Sequence, residues 1–402
     1  MSAWEKGPVV EGRGRGDRRG NRRSRVFGYV RGTGPVLRWG PAALAALAAT
    51  LAVAGPCAGV ATARATPRIV GGAGVSITSF PFQVALYEPH AGSVAAGFFC
   101  GGVVIDATHV ATAAHCAIDD ATRRVTAPGD IAVLAGSGHL SGPGESPPPG
   151  AIEDPAAATS LDPRYDPSTN DYDVAVITLS RPLWQGPTPA LDGRSSIAPI
   201  PISAALAATY ANPEASASAP ILATVSGWGD TRAESPGSLG LDGVYPTDLQ
   251  ATQIPLLSTG VCVDAYAGPF SSQPITPRML CAGMQGGGRD SCFGDSGGPL
   301  VVEDSSGPAQ RPHDYILAGL VSFGEGCAQA ESPGVYASIA APAIAAFLTS
   351  DPPQTPLGQE GFAQSPGGHA CTRRERLCRA PSTSGHHHHH RHRRHKHHHK
   401  RT

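Results

Sequence analysis

One stretch of the chain, residues 290–300, constrains the fold and the chemistry more than any other. Its sequence, DSCFGDSGGPL, sets Ser296 between glycines and leads into the apolar residues 300–302. Glycine tolerates positive φ and lets the backbone approach a ligand closely, so the stretch predicts a tight turn that presents the Ser296 hydroxyl just before a strand. The same pattern also occurs in turns with no catalytic role. A catalytic interpretation therefore requires a base, an acid that orients this base and an oxyanion site elsewhere in the chain.

The charge of the chain is unevenly distributed. The whole chain has a formal net charge of −1, but residues 69–350 contain 9 Arg, no Lys and 26 acidic residues, a net charge of −17. The other 22 basic residues lie towards the two ends of the chain. Their runs lack the interleaved aromatic residues that are typical of nucleic-acid-binding surfaces. We therefore expect no nucleic-acid partner, and the acidic body favours cationic substrates.

The first 65 residues have the composition of an export leader. Residues 1–40 are rich in Gly and Arg without apolar periodicity, which predicts a basic disordered lead-in. Residues 41–65 begin with an uncharged Ala/Leu/Val run and end in the small-x-small triplets Ala61-Thr62-Ala63 and Ala63-Arg64-Ala65, a pattern typical of a signal peptide. An uncleaved membrane anchor is the alternative, since the run approaches spanning length. The sequence thus predicts a secreted, extracellular protein, or a membrane-anchored one if the signal is not cleaved.

The cysteines support the same compartment. The chain has nine of them and no Cys-x-x-Cys pair, which favours disulfides over metal sites. Disulfides persist in oxidising environments such as the extracellular space.

Residues 66–68 form a predicted short propeptide ahead of the sequence Ile69-Val70-Gly71-Gly72. An Arg followed by two β-branched residues and two glycines is compatible with a simple turn into a strand. Alternatively, cleavage after Arg68 creates a free α-amino group on Ile69, with flexible glycines behind it. Such a charged terminus can be buried only against a carboxylate. Asp295, beside Ser296, is the expected partner.

A candidate base follows a predicted hairpin. Period-two alternation and β-branched residues predict strands at residues 82–86, 100–105 and 110–116. Cys100 and Cys116 bracket the last two of these strands and could form a disulfide, which would fix His115 at the end of the hairpin. A lone histidine beside a cysteine is more often a packing residue, so the interpretation depends on its partners.

Asp173 is the candidate partner of this histidine. It leads directly into the apolar residues 174–179. A carboxylate at the mouth of a buried strand costs several kcal/mol unless it is paired, and an imidazole N–H is a suitable partner. The order His115, Asp173, Ser296 then matches a base, its orienting acid and a nucleophile. The backbone N–H groups of Gly294 and Ser296 would form the oxyanion hole.

With these residues the sequence resembles the trypsin-like (chymotrypsin-fold) serine endopeptidases. The resemblance covers about residues 69–348 and neither end of the chain. The motifs that carry it, in chain order, are Ile69-Val70-Gly71-Gly72, Thr112-Ala113-Ala114-His115-Cys116, Asp173-Val174-Ala175-Val176-Ile177, Ser226-Gly227-Trp228-Gly229, Gly294-Asp295-Ser296-Gly297-Gly298-Pro299 and Pro333-Gly334-Val335-Tyr336.

The resemblance implies the fold of residues 69–350. We expect an all-β domain of two packed six-stranded antiparallel Greek-key β-barrels with a short C-terminal helix. His115 and Asp173 would come from the first barrel and Ser296 from the second. The resemblance also implies a zymogen that becomes active when cleavage after Arg68 lets the new Ile69 amine pair with Asp295. We expect a monomer that needs no cofactor and no metal.

The resemblance also implies the substrate class. The family's specificity position, six residues before the nucleophile, is Asp290, at the base of a pocket whose walls are Ser291, Gly324 and Gly334. A buried carboxylate there would select Arg or Lys before the scissile bond, because leaving it unpaired is costly. Protein or peptide substrates with these residues are therefore expected.

Two family disulfides match this chain and a third is missing. The resemblance implies the bridges Cys262–Cys281 and Cys292–Cys327. Ala223 and Val302 stand where the cysteines of the third common bridge would be. The paired loss to apolar residues is physically reasonable. Another departure is an Ala/Pro/Ser-rich excess around residues 187–220, which predicts a surface loop.

The end of the chain has a different composition. Residues 351–384 are rich in Pro, Gly and Ser, which predicts a linker. Within it, Cys371 and Cys378 could close a local disulfide loop or remain as free thiols. Residues 385–402 contain ten His among Arg and Lys. This tail is either a solvated cationic segment or a binder of divalent metal or of an anionic cell surface.

One alternative to an enzyme fits the same fold. A non-catalytic serine protease homologue would act as a binding module. Loss of one member of the set His115, Asp173 and Ser296 would be its signature, and all three are present.

Overall fold

The structure is a computed structural model of the chain. It describes residues 69–119, 122–189, 193–211, 213, 220–238, 240, 242–268, 273–304 and 314–350, with the backbone of 370–372 and 377–379. The predicted segments 1–40, 41–65 and 66–68, including Arg68, lie outside these residues, as do the tail 385–402 and most of the linker 351–384. No helix within the described ranges is both long enough and apolar enough to span a bilayer.

The described residues form mainly short antiparallel strands. In chain order the strands are β1 (Ala73–Gly74), β2 (Gln83–Tyr87), β3 (Phe98–Val104), β4 (His109–Thr112), β5 (Ile118–Asp119), β6 (Arg124–Val125), β7 (Ala132–Ala135), β8 (Ile152–Leu161), β9 (Ala175–Leu179), β10 (Leu222–Gly227), β11 (Gln250–Leu257), β12 (Met279–Ala282), β13 (Pro299–Glu303), β14 (Tyr315–Phe323), β15 (Gly334–Ser338), β16 (Ala370–Thr372) and β17 (Leu377–Arg379). The helices are α1 (Val94–Gly97), α2 (Ala204–Ala208), α3 (Thr259–Tyr266) and α4 (Pro342–Thr349).

The first barrel closes in the order β2-β3-β4-β9-β8-β7. Its strands are rich in Val, Ile, Leu and Ala, which suit a pleated surface that packs on its inner face. One apolar cluster inside it includes Val84, Leu86, Val104, Val110 and Ile177. The strands expected at residues 82–86 and 100–105 correspond to β2 and β3. The third expected strand is shorter than predicted, because β4 ends at Thr112 and a 3₁₀ turn follows at His115–Ala117.

The second barrel has the strand order β11-β10-β13-β14-β15-β12 and closes because β12 pairs back onto β11. The short strand β1 pairs with residues 250–251 at the start of β11. Ile69, Ala223 and Val302 all lie in the apolar cluster of this barrel. Ala223 and Val302, which replace the cysteines of the missing bridge, are therefore buried packing residues.

A shared apolar cluster joins the two barrels. It contains Phe82 and Val176 from the first barrel together with Trp228 and Leu317 from the second half of the chain. The Trp228 indole N–H also donates to the Gly138 carbonyl oxygen at 3.0 Å. A buried indole N–H needs such a partner. The helix α4 buries Ile344, Phe347 and Leu348 on one face, as their spacing predicts. The predicted all-β fold of two six-stranded antiparallel barrels with a short C-terminal helix is confirmed.

Part of the excess around residues 187–220 is not a surface loop. Ala198 and Ile200 are fully buried, and their amides donate to the carbonyl oxygens of Pro81 (2.9 Å) and Val104 (3.0 Å). The apolar run Ile197-Ala198-Pro199-Ile200 explains the difference, because burying it against the first barrel is favourable. The prediction of a surface loop was therefore wrong for this part.

Three disulfides are formed: Cys100–Cys116, Cys262–Cys281 and Cys292–Cys327. Each was expected from the sequence or from the family resemblance. At the far end of the chain, β16 and β17 pair so that the backbone positions of Cys371 and Cys378 face each other in register.

One ion pair connects the barrels next to Asp173. The Arg278 guanidinium, just before β12, donates both Nε–H (3.0 Å, to Oδ1) and Nη2–H (to Oδ2) to the Asp171 carboxylate. Thr276 Oγ1 donates to the same carboxylate at 2.7 Å. The Arg278 guanidinium also lies over the Tyr172 ring, 5.0 Å from its centroid, a favourable cation–π distance. Two elements more than a hundred residues apart are thereby tied together beside the candidate site.

We expect Arg278→Met to lower the free energy of unfolding by about 1–3 kcal/mol at pH 7, because Asp171 then keeps its charge without its main partner. Burial alone would raise the pKa of Asp171, but the hydrogen bonds from Arg278 and Thr276 hold it below its usual value. A carboxyl group with a lowered folded-state pKa stabilises the fold above its unfolded pKa and loses this stabilisation as the pH falls through the folded pKa. The deficit of the variant should therefore shrink below about pH 4.

Urea denaturation across this pH range measures the effect, in a Ser296→Ala background so that no proteolysis interferes. Arg124→Met is the matched control, since Arg124 is exposed and no ion pair of its side chain is seen among the described residues. Equal stabilities of the two variants at pH 7 would show that the Asp171–Arg278 pair contributes nothing.

Candidate active site

Asp173 and His115 lie in direct contact. The Asp173 side chain is almost fully buried, and its Oδ2 lies 2.7 Å from His115 Nδ1. Its Oδ1 accepts the backbone N–H of His115 at 2.9 Å, and Oδ2 also accepts the Ser322 hydroxyl at 2.5 Å. Burial alone would raise the pKa of Asp173, but the charge and hydrogen bonds of His115, with the Ser322 hydroxyl, hold it below its usual value. The carboxylate therefore stays ionised and orients the imidazole through Nδ1, which leaves Nε2 as the atom that can act as a base.

Local structure fixes both side chains. His115 begins a 3₁₀ turn directly after β4, and the Cys100–Cys116 disulfide ties its neighbour to β3. Asp173 follows Tyr172, which has a φ of 54°. A tyrosine in this left-handed region is strained and needs support from its surroundings. The guanidinium groups of Arg164 and Arg278 over its ring supply part of that support.

The turn that carries Ser296 lies against the end of β4. The Ser296 carbonyl oxygen accepts the Gly101 amide at 2.8 Å. A Cβ atom on Gly297 would overlap Thr112 Oγ1, three residues before His115. Gly297 has a φ of 74°, so both the conformation and the close approach require glycine here. The structure thus brings the predicted nucleophile to the same junction as His115 and Asp173.

The two predicted oxyanion donors, the amides of Gly294 and Ser296, belong to this turn. Gly294 has a φ of 95°, and a Cβ atom on it would lie 3.2 Å from Gly229 Cα. The Asp295 amide donates to the Cys292 carbonyl oxygen at 2.9 Å, which closes the turn.

Asp295 lies beneath the same turn and is fully buried. Its two carboxylate oxygens accept backbone amides, Oδ1 from Gly229 and Oδ2 from Cys292, each at 2.9 Å. Burial raises the pKa of Asp295 to about 7, and the charge of Asp230 adds to the rise, against the lowering effect of the two amides. Among the described residues, this carboxylate is therefore held by amide hydrogen bonds and has no cationic partner. The Ile69 side chain is fully buried in the core of the same barrel.

Asp290 is the second buried carboxylate, with 2% of its surface exposed. Its oxygens accept the amides of Ser291 (2.9 Å) and Ala328 (3.0 Å). Burial raises its pKa to about 7, to which the charge of Asp295 adds, and the two amides oppose the rise. A Cβ atom on Gly334 would lie 2.8 Å from Asp290 Oδ1, so the close approach of this backbone to the carboxylate requires glycine.

The other predicted wall residues surround this carboxylate. Ser291 Oγ and the Tyr336 hydroxyl lie 3.0 Å apart. Gly324 faces Gly334, because a Cβ atom on Gly324 would lie 4.0 Å from Gly334 Cα. The Cys292–Cys327 disulfide links the residues next to Ser291 with those before Ala328. The four residues predicted for the pocket are therefore adjacent in space.

Residues 69–345 match the family model described as Trypsin. This match covers well over half of the chain. The chain belongs to the trypsin-like serine protease family.

Individual relatives agree with this membership. The serine protease is similar to Transmembrane protease serine 9 of Rattus norvegicus, with 36% identity over 276 residues, which are 69% of this chain and 21% of that protein. It therefore spans about a fifth of the rat relative. Trypsin 5G1 of Aedes aegypti is 34% identical over 277 residues, 69% of this chain and 83% of that protein. Trypsin of Sus scrofa is 34% identical over 272 residues, 68% of this chain and 91% of that protein.

Sequence reasoning missed several residues of the serine protease site. Ser322 contacts Asp173 from 149 residues away, and Tyr336 contacts Ser291 from 45 residues away. Asp230, fully buried near Asp295, was also missed. Its position directly after the motif Ser226-Gly227-Trp228-Gly229 was the available signal. Tyr336, in β15, ends the motif Pro333-Gly334-Val335-Tyr336, but the motif did not indicate its contact with Ser291. Ser322, in β14, has no local pattern that marks it.

One cluster has the composition of a metal site. Potential ligand atoms of Cys100, His115 and Cys116 lie within 4.8 Å of one another. The two sulfur atoms are joined in a disulfide, and zinc binds thiolates. These three residues therefore do not form a metal site in the oxidised protein.

Proposed function

We propose that the protein is a secreted serine endopeptidase that is made as a zymogen and hydrolyses peptide bonds after Arg or Lys. The observation that supports this proposal best is the His115–Asp173 contact with the Ser296 turn packed against the strand that leads to His115. No member of this set is replaced, which argues against a non-catalytic binding module.

In the proposed reaction Ser296 Oγ attacks the carbonyl carbon of the scissile bond and transfers its proton to His115 Nε2. Asp173 stabilises the imidazolium that results. The amides of Gly294 and Ser296 would bind the oxyanion of the tetrahedral intermediate, each donor typically contributing about 3 kcal/mol. The imidazolium then protonates the leaving amine, and water activated by His115 hydrolyses the acyl-enzyme.

The buried carboxylate of Asp290 supports the proposed specificity. Burial raises its pKa, and none of the described residues pairs a cation with it, so a guanidinium or ammonium group that enters the pocket would gain a charged hydrogen-bonded partner. Neutral side chains offer no such compensation. Activation is supported in the same way: none of the described residues pairs a cation with Asp295, and cleavage after Arg68 would supply the Ile69 ammonium group.

We expect the protein cleaved after Arg68 to hydrolyse a chromogenic peptide amide that ends in Arg. Ser296→Ala should reduce kcat by at least about 10⁴-fold, because no other group of the site can form the acyl-enzyme. The measurement is the release of the chromophore, with both proteins processed in the same way. Equal rates for the parent and Ser296→Ala would contradict the proposed enzyme function.

We expect Asp290→Ser to abolish cleavage after Arg, because the pocket has lost its charge. The rate at which Ser296 reacts with a small sulfonyl fluoride should stay within about threefold of the parent's rate. The ratio of the two rates is the measurement. Ser168→Ala, on an exposed turn, is the control for expression and processing. Retention of Arg cleavage in Asp290→Ser would show that another group sets the specificity.

The His-rich tail, residues 385–402, has ten imidazoles that suit a divalent cation. We therefore include binding of divalent metal by this tail in the proposal, with adhesion to an anionic cell surface as the alternative. Calorimetric titration of the full chain with Zn²⁺ should show binding that a chain ending at Ser384 lacks. Identical heats for the two chains would remove the tail from the proposal.

A further inference from the structure

Two consecutive backbone amides connect the buried carboxylate of Asp295 to the peptide that carries the proposed oxyanion donor. The Gly229 amide donates to Asp295 Oδ1 at 2.9 Å. The next amide, of Asp230, donates to the Phe293 carbonyl oxygen at 2.8 Å. Asp230 is fully buried, so these bonds form away from bulk water. The segment 229–230 therefore bonds at the same time to the Asp295 side chain and to the Phe293 carbonyl oxygen.

The second of these bonds sets the direction of the Gly294 amide. Phe293 and Gly294 share one planar trans peptide group, in which the C=O and the N–H point in opposite directions. The Phe293 carbonyl points towards Asp230, so the Gly294 N–H points away from it. Rotation of this peptide by half a turn would remove the donor from the proposed oxyanion hole. Glycine permits such rotation more readily than other residues do. The hydrogen bond from the Asp230 amide therefore stabilises one orientation of the 293–294 peptide against the rotated one.

The Asp230 side chain holds its own backbone in place. Its Oδ1 accepts the amides of Arg232 at 3.1 Å and Val244 at 2.8 Å, which closes the loop between residues 230 and 244. The Arg232 Nε lies 3.8 Å from the same oxygen. Its Oδ2 has no hydrogen-bond partner among the described residues, and a Cβ atom on Gly243 would lie 2.9 Å from it.

The position is costly for a carboxylate. A buried charge with one unbonded oxygen is destabilising, and Asp295 is a second negative charge nearby. Within the described part of the chain, the two amide hydrogen bonds to Oδ1 and the nearby Arg232 guanidinium are the contacts that offset the cost of burying this side chain.

We propose that Asp230 is a positioning residue that couples Asp295 to the Gly294 amide, and so keeps the oxyanion donor aimed at the reacting carbonyl. This inference rests on the proposed function. Asp230 acts through the backbone of residues 229–230 and 293–294, not by contact with the substrate. The affinity for a ligand that mimics the transition state should therefore depend on the Asp230 side chain. The affinity for a ligand that binds only in the Asp290 pocket should not.

The test compares Asp230→Ala with Asp230→Asn in protein cleaved after Arg68. Asparagine keeps the Oδ1 acceptor for the Arg232 and Val244 amides, whereas alanine removes it. We expect Asp230→Ala to lower kcat for the Arg amide substrate about 10–100-fold with KM within about threefold, since loss of one oxyanion donor costs about 10²–10³ in kcat. Asp230→Asn should keep kcat within about threefold of the parent.

Two inhibitors separate positioning from general disruption. Benzamidine, a cation that fits the Asp290 pocket, should bind both variants as it binds the parent. A peptide aldehyde ending in argininal forms a hemiacetal whose oxyanion needs the Gly294 donor, so its affinity for Asp230→Ala should fall with kcat. If Asp230→Ala does not accumulate, Asp230→Ser, whose hydroxyl is too short to bond both amides, takes its place with the same expected order.

Each contrary outcome overturns the inference. Parent-like kcat and aldehyde affinity in Asp230→Ala would show that the side chain positions nothing. An equal loss for benzamidine and the aldehyde would show a merely structural role. A loss in Asp230→Asn as large as that in Asp230→Ala would assign the effect to charge, not to the Oδ1 acceptor. A parent protein with no activity and no aldehyde binding would instead contradict the proposed function itself.

Discussion

The carboxylate of Asp295 is buried without a cation in the part of the chain that the structure describes, and the turn around Ser296 is built on it. Its two oxygens accept the amides of Gly229 and Cys292, and these bonds tie the turn to itself and to the segment that contains Gly229. Amide hydrogen bonds do not neutralise a charge, so burial still raises its pKa to about 7. A cationic partner delivered to this point would stabilise the whole turn. In our proposal, the geometry of the candidate site therefore depends on neutralising this one buried charge.

A second buried carboxylate, that of Asp290, also needs a cationic partner, and it lies beside Ser291 and Gly334. Its pKa is raised by burial to a similar value, and the Gly334 backbone approaches it closely with no side chain in between. In our account the chain's own Ile69 amine satisfies Asp295, and the substrate satisfies Asp290. The acidic body, with its net charge of −17 over residues 69–350, favours the approach of cationic substrates. Activation and specificity thus use the same physical principle.

Individual strands could be predicted from period-two alternation, which depends on residues close in sequence. The two barrels were implied by the family resemblance that the motifs carry, and the contact of Asp173 with His115 was expected because a carboxylate at the mouth of a buried strand needs a partner. The contact of Ser322 with Asp173 spans 149 residues and leaves no local trace. The ion pair of Arg278 with Asp171 spans 107 residues and was missed for the same reason. Ile200 was assigned to a surface loop because the surrounding Pro and Ser outweighed a short apolar run.

The most direct test of the account varies the position of the N-terminal amine by one residue. Two chains would be released from a fusion partner, one beginning at Ile69 and the other with a single Ala before Ile69. Both carry an α-amino group, but only the first can place it at Asp295 with the Ile69 side chain still buried. Hydrolysis of the Arg amide is the measurement. The account predicts that the first chain is active and that the second is at least about a hundredfold slower, as expected when an ion pair that orders the oxyanion loop is lost. Equal activities would contradict the dependence of the site on Asp295 and Ile69.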